Sequence, residues 1–226
     1  MSDVWNTLIE IKKHFEAAFD ATGTITAEPG LDRFDRPGWA NLAWTGDLYR
    51  RAHISIVDCR TDKGVWMMHS CVFPHTTNPA PIFGFDVIAG KSKITGCFYD
   101  YSPAGDINHP MITHFTNEVS NLSWNKTRNL PEWAERIFSP AMVATANVND
   151  FKELEQIVIM ACSGLDYYLQ FINDSANSAE NTAEAQNHYL RNQKLNPHTP
   201  RVMSSLGLSQ EDVQVFIEDC LFPEIR

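Results

Sequence analysis

Residues 65–101 read VWMMHSCVFPHTTNPAPIFGFDVIAGKSKITGCFYDY. Most positions are apolar, aromatic or β-branched, the composition of strands buried in a sheet. Two ionisable side chains, His69 and Asp86, stand in that background. A strand core ordinarily excludes such groups, because burying a charge is costly unless it is paired. The stretch therefore bears on both the fold and the site.

The spacing predicts strands over 64–73, 82–89 and 93–101, with another over 51–58 just before them. The connections are CRTDK (59–63), the Pro/Asn loop 74–81 and Gly90-Lys91-Ser92. Connections this short join antiparallel neighbours, since parallel strands need a long crossover. If the 74–81 loop joins Phe73 to Ile82, counting inward equally from both sets His69 opposite Asp86. If CRTDK joins Asp58 to Gly64, the same count sets His53 opposite His69. The expectation is a row of His53, His69 and Asp86 on one face of three strands. A slip of one residue would move a member to the other face.

Outward from the strands the pattern turns helical. Val4, Leu8, Ile11, Phe15 and Ala18 predict an amphipathic helix over 4–19, with Ser2 or Asp3 as N-cap. Residues 20–40 read as irregular. Helices are predicted at 108–123, 132–138, 150–173, 183–195 and 209–221, and an edge strand at 140–146. The 150–173 helix should bury Phe151, Leu154, Ile157, Val158, Cys162, Leu165 and Leu169. The polar run NDSANSAENTAEAQ reads as an exposed loop leading into a helix. A strand meander with helices before and after it predicts an α+β fold, a three-layer α/β/α sandwich around a central antiparallel sheet, as one domain over 1–226.

Whole-chain properties exclude several functions. The 226 residues are 43% hydrophobic and 11% aromatic, which marks a folded chain. A formal charge of −10 argues against nucleic acid as a partner. Cations cluster only locally, at Lys12-Lys13, Arg50-Arg51 and Arg191 with Lys194. Five scattered cysteines with no CxxC pair fit free thiols in a reducing cytosol. No apolar run reaches membrane-spanning length, and the charged N-terminus is not a signal peptide. No GxGxxG, Walker or GxSxG motif is present.

His69 with Asp86 supports two readings: a structural ion pair, or a desolvated pair that holds and passes a proton near neutral pH. His53 joins it only through the expected register, and Ser55 shares its face. A facial iron triad of His53, His69 and Asp86 is a competitor, although its usual close His/carboxylate spacing is absent. His75, His109 and His114 read as solvated loop residues. Asp58, Asp62, Asp100 and Asp106 read as turn formers.

HSCVFPHTTNPAPIFGFDVIAG resembles the signature H-C-V-x-F-P … P-x-F-G-x-D-I-V-A-G of the ferredoxin-dependent bilin reductases. RRAHISIV, YDYSP, RNLPEWAERIFS, HYLRNQKLNPHTPRVM and FIEDCLFP resemble further blocks of that family, in order over roughly 44–223. More narrowly, the chain resembles the phage-encoded members related to the phycocyanobilin-forming branch. The resemblance implies a sheet that carries biliverdin IXα against C-terminal helices, with no bound flavin, metal or nicotinamide. Electrons come singly from a reduced [2Fe-2S] ferredoxin, the bilin passes through radicals, and the protein supplies protons. It further implies a monomer in the cytoplasm of a cyanobacterial or phage-infected host.

By the same resemblance, Asp86 matches the proton-donating aspartate, and His69 the histidine beside it near the lactam oxygens. His53 matches a second histidine linked to the first through water. Arg128 matches an arginine that pairs with a bilin propionate, Thr95 a propionate-facing hydroxyl, and Asn196 an Asn or Asp near the A-ring. Ser55 departs from the pattern, standing where H-L-E-L carries the glutamate that serves D-ring vinyl reduction. The resemblance then implies four-electron reduction through 15,16-dihydrobiliverdin to phycoerythrobilin. Phycocyanobilin formation, two-electron reduction and bilin carriage without turnover stay open.

Overall fold

The computed structural model describes residues 3–28, 30, 32–174 and 181–226. Ser2, and residues 175–180 of the expected polar loop, lie outside the described residues. One antiparallel sheet of seven strands runs in chain order. The strands are β1 (Thr24–Ile25), β2 (Trp39–Thr45), β3 (Arg51–Cys59), β4 (Val65–Phe73), β5 (Ile82–Gly90), β6 (Ile94–Ser102) and β7 (Val143–Thr145). The helices are α1 (Asp3–Thr22), α2 (Pro110–Ser120), α3 (Glu132–Glu135), α4 (Phe151–Phe171), α5 (Thr182–Gln193), α6 (His198–Ser205) and α7 (Gln210–Val215). A π-helical turn, Phe216–Leu221, continues α7. The expected α/β/α arrangement is present.

Strand alternation sorts the core into two layers. One face of β3–β6 points Ile54, Met68, Phe83, Phe85 and Tyr101 at α1, α2 and α4. Phe15 of α1 reaches both Phe83 and Phe85, with ring centroids 5.8 and 5.5 Å away. Each fully buried Phe or Leu contributes about 1.5–3 kcal/mol. The other face points Val57, Met67, Cys71 and Ile82 at α5, α7 and the π-helical turn, around a second cluster. The site lies within this second layer.

The β4–β5 register is the expected one, with His69 opposite Asp86. The β3–β4 register is corrected by two residues. His69 faces Ser55, and His53 faces Cys71. The five-residue loop is 60–64, not 59–63. Gly64 has φ of 64°, a left-handed turn conformation, so the strand starts at Val65. A two-residue shift preserves the face, so His53 stays on the site side, one step along from the row.

Other expectations are also corrected. β1 and the start of β2 lie within 20–40, expected to be irregular from its Gly, Pro, Asp and Thr; they add to the sheet edge by pairing with β2 and β3. α6 lies between the helices expected at 183–195 and 209–221; Pro200 sits in its first turn, where proline is tolerated. The buried face of α4 is centred on Leu154, Ile157, Ala161, Leu165 and Tyr168. Phe151 begins the helix off that face and is 73% exposed. His109 is not a solvated loop residue: it is buried and caps α2, its Nδ1 accepting from Met111 N at 3.3 Å.

Candidate active site

A cavity of about 350 Å³ opens between the second sheet face and the helices over it. Its floor comes from alternate residues of β3–β6, including Ser55, His69, Cys71, Asp86 and Phe98. Its walls are largely apolar and aromatic, with Trp133, Tyr189, Phe216 and Phe222 among them. Arg128 lies at its edge and is exposed. Apolar walls, a polar floor and a guanidinium fork suit a flat, mostly apolar molecule bearing carboxylates.

Asp86 is half-buried and open to the cavity. The packed strands and helices exclude most water around it. Burial therefore pushes its carboxyl up to about 7, while a backbone hydrogen bond at Val87 pulls the other way. The same dry surroundings push His69 down to about 4, and the Arg51 charge adds to this. At neutral pH the imidazole is neutral and the carboxyl is poised to take or give a proton. His69 is held by Phe222, edge-on at 5.4 Å, and by Cys71 Sγ, 3.4 Å from Nε2.

His53 is fully buried and does not line the cavity. Its ring lies 6.3 Å from that of His69 on the same sheet face, covered by the π-helical turn. Its pKa falls well below the ordinary value, first from burial and then from the charges of Arg51 and His69. Cys220 Sγ stands 3.8 Å from its Nε2. Arg51, two residues before it, is buried in a bidentate pair with Glu28 at 2.7 and 2.9 Å.

The remaining expected residues divide. Ser55 lines the floor directly across from His69. Asn196 lines the cavity, and its Oδ1 accepts from His198 N at 2.9 Å. Arg128 Nη2 donates to Thr95 O at 2.7 Å, and its guanidinium lies 5.8 Å from the centre of the Phe98 ring. The Thr95 hydroxyl donates to Ile88 O at 3.0 Å, and Thr95 is not among the lining residues. Thr95 thus meets the cavity only through Arg128. Among the described residues, no group of three or more His, Cys, Asp or Glu is placed to hold a metal ion.

One site residue was misread. Asp100 is not a turn former; it is a buried residue of β6 that lines the cavity. Its carboxylate accepts from Ser139 N at 2.9 Å, from Ser139 Oγ, and from Ser102 Oγ at 2.7 Å. Burial pushes it up to about 6, against those hydrogen bonds. Extending the count across Gly90-Lys91-Ser92 sets Asp100 opposite Ile82, two residues from its partner Gly84 but on the same, cavity-facing side. Asp100 anchors the segment after α3 to the sheet, leaving Asp86 as the cavity carboxyl without such a clamp.

The model of the family described as "Ferredoxin-dependent bilin reductase" matches residues 32–223. The phycocyanobilin:ferredoxin oxidoreductase of Prochlorococcus marinus (strain MIT 9313) is 27% identical over 181 residues, spanning 77% of this chain and 67% of that protein. The corresponding protein of Synechococcus sp. (strain CC9902) is 26% identical over 185 residues, spanning 77% of this chain and 71% of that protein. A solved structure of PcyX is 34% identical, with a TM-score of 0.72, covering 97% of this chain and 99% of that one. Tomato phytochromobilin synthase in complex with biliverdin shares the fold at 17% identity, with a TM-score of 0.75 over 93% of this chain and 82% of that one. With a sheet, a cavity floor and motifs that all agree, the chain belongs to the ferredoxin-dependent bilin reductases and is an oxidoreductase.

Proposed function

We propose that residues 1–226 act as one bilin reductase domain, a monomer that takes electrons from reduced ferredoxin and reduces biliverdin IXα by four electrons. The first two electrons and two protons saturate the C15=C16 bridge to give 15,16-dihydrobiliverdin. The next two electrons and two protons reduce the A-ring diene and give phycoerythrobilin. Single-electron delivery makes each stage pass through a bilin radical. The protein positions the bilin and supplies protons, with no bound cofactor. Its compartment is the cytoplasm of a cyanobacterial or phage-infected host, in keeping with five free thiols.

The observation that carries this reading is the composition of the row Ser55–His69–Asp86. Asp86, poised near neutral pH, suits repeated protonation and reprotonation of a bound bilin. His69 is its neutral neighbour, and His53 backs His69. Arg128 at the cavity edge and Asn196 in its wall suit a propionate and a ring edge, and Thr95 holds Arg128 through its carbonyl. The other end of the row is a hydroxyl. A serine hydroxyl is far too weak an acid to replace a carboxylic acid as proton donor, so the D-ring vinyl group is left unreduced.

Anaerobic incubation with biliverdin IXα and reduced ferredoxin, followed by chromatography, tests it. Phycoerythrobilin should accumulate after a dihydrobiliverdin intermediate; phycocyanobilin from the unaltered protein would overturn the reading. Ser55→Glu should divert part of the product toward D-ring-reduced bilin.

A further inference from the structure

We propose that the Cys71 thiol, donating to His69 Nε2, fixes the neutral His69 ring with its proton on Nδ1, which makes Cys71 a positioning residue. The proposal rests on His69 being part of the bilin site, but the tautomer is a property of the free protein.

Cys71 and His69 lie two residues apart on β4 and both face the cavity, beneath α5. Tyr189 and Gln193 lie one helical turn apart, both buried against the sheet. Gln193 Nε2 donates to Tyr189 Oη at 2.7 Å. A carboxamide nitrogen only donates, so the tyrosine oxygen accepts there. Tyr189 lines the same cavity as Cys71. Gly84, paired with Cys71 across the ladder, leaves the space: a Cβ there would stand 3.5 Å from Tyr189 Oη.

Cys71 has no exposed surface, and burial pushes its thiol up to about 12. It therefore carries its proton throughout the working range. The thiol hydrogen has an acceptor in His69 Nε2, 3.4 Å from the sulfur. The reverse polarity, an imidazole N–H on sulfur, is weaker, because sulfur is a poor acceptor and an imidazole nitrogen a good one. A neutral imidazole has one ring proton; when Nε2 accepts, Nδ1 carries it. Any hydrogen bond that His69 gives to a cavity ligand is then a donation from Nδ1.

The test is two-bond ¹H–¹⁵N correlation NMR of the full chain labelled in histidine, without substrate. His69 is assigned by the signals lost in His69→Gln. The unaltered protein should show His69 mainly as Nδ1–H. Cys71→Val, close in size and without a donor, should raise the Nε2–H share about threefold or more. Cys71→Ser, whose hydroxyl donates in the same place, should restore the Nδ1–H form. A dominant Nε2–H form in the unaltered protein or in Cys71→Ser overturns the proposal, as does a Cys71→Val spectrum with unchanged proportions. Should the valine variant fail to fold, the other two proteins still decide. Failure to reduce biliverdin would sink the functional reading and leave these spectra as they are.

Discussion

Asp86 and His69 are shifted in opposite directions by the same dry surroundings, and their effects on stability oppose each other. Asp86 titrates near 7 in the folded protein and about 4 when unfolded. Between those values the folded state holds the extra proton, so Asp86 lowers stability as pH rises from about 4 to 7. His69 titrates near 4 when folded and about 6.5 when unfolded. There the unfolded state holds the extra proton, so His69 lowers stability as pH falls from about 6.5 to 4. Their slopes cancel over most of that window. Asp86→Asn removes one of them. At pH 7–8 the variant should be more stable, on the order of 1–3 kcal/mol, because solvent in the open cavity screens part of the shift. It should also lose stability on acidification to pH 4 more steeply than the parent. Urea titrations at several pH values check both effects, and equal slopes for the two proteins would refute the opposition. The same substitution should slow bilin reduction about 10²–10⁴-fold while biliverdin still binds. A carrier without turnover would show no such loss.

Elements were legible in the sequence wherever a local pattern was enough to determine them. The β4–β5 pairing follows from an apolar run on each side of one loop. The β3–β4 pairing missed by two residues, because which residues of a five-residue turn leave the strands depends on the left-handed conformation of Gly64, and composition does not show that. Asp100 was misread for a related reason: it resembles a turn residue beside Pro103, and only the position of Ser139 from a distant segment makes it a buried anchor. Gly164 shows how a sheet and a helix determine each other. Glycine in the middle of α4 ordinarily costs about 1 kcal/mol against alanine. Here a Cβ would lie 1.8 Å from Tyr99 Oη, and the Gly164 carbonyl accepts from Tyr101 Oη at 2.5 Å. Gly164→Ala should therefore destabilise by about 1–3 kcal/mol, the usual cost of overpacking, where propensity alone predicts a gain. The denaturation midpoint decides, and a rise would mean that Tyr99 moves aside without cost.

At the scale of the molecule, the difficulty is a chain of charge −10 that must meet an acidic electron carrier. The distribution of pairing offers a way through. Lys12, Arg51, Arg60, Arg136, Arg191 and Lys194 are engaged with carboxylates. Among the described residues, Lys93, Lys126 and Arg128 take part in no ion pair, and they share one corner of the sheet. Lys93 closes the β5–β6 hairpin, its carbonyl accepting from Gly90 N at 3.0 Å. Lys126 and Arg128 flank Thr127, which bridges to Thr145 of β7, and Arg128 lines the cavity edge. A local positive field over a cavity mouth steers an acidic partner to the place where electrons are needed, whatever the net charge. Turnover at limiting ferredoxin should therefore fall steeply as salt is added, because exposed charges are screened within about 8 Å at physiological ionic strength. The double variant Lys93→Glu/Lys126→Glu should raise KM for ferredoxin about tenfold at low salt and much less at high salt. Biliverdin affinity should hold, since neither side chain lines the cavity. Lys12→Glu/Lys13→Glu, on α1 against the opposite sheet face, makes the same change in net charge. An equal rise in KM from that pair would show that net charge, and not this corner, governs the encounter.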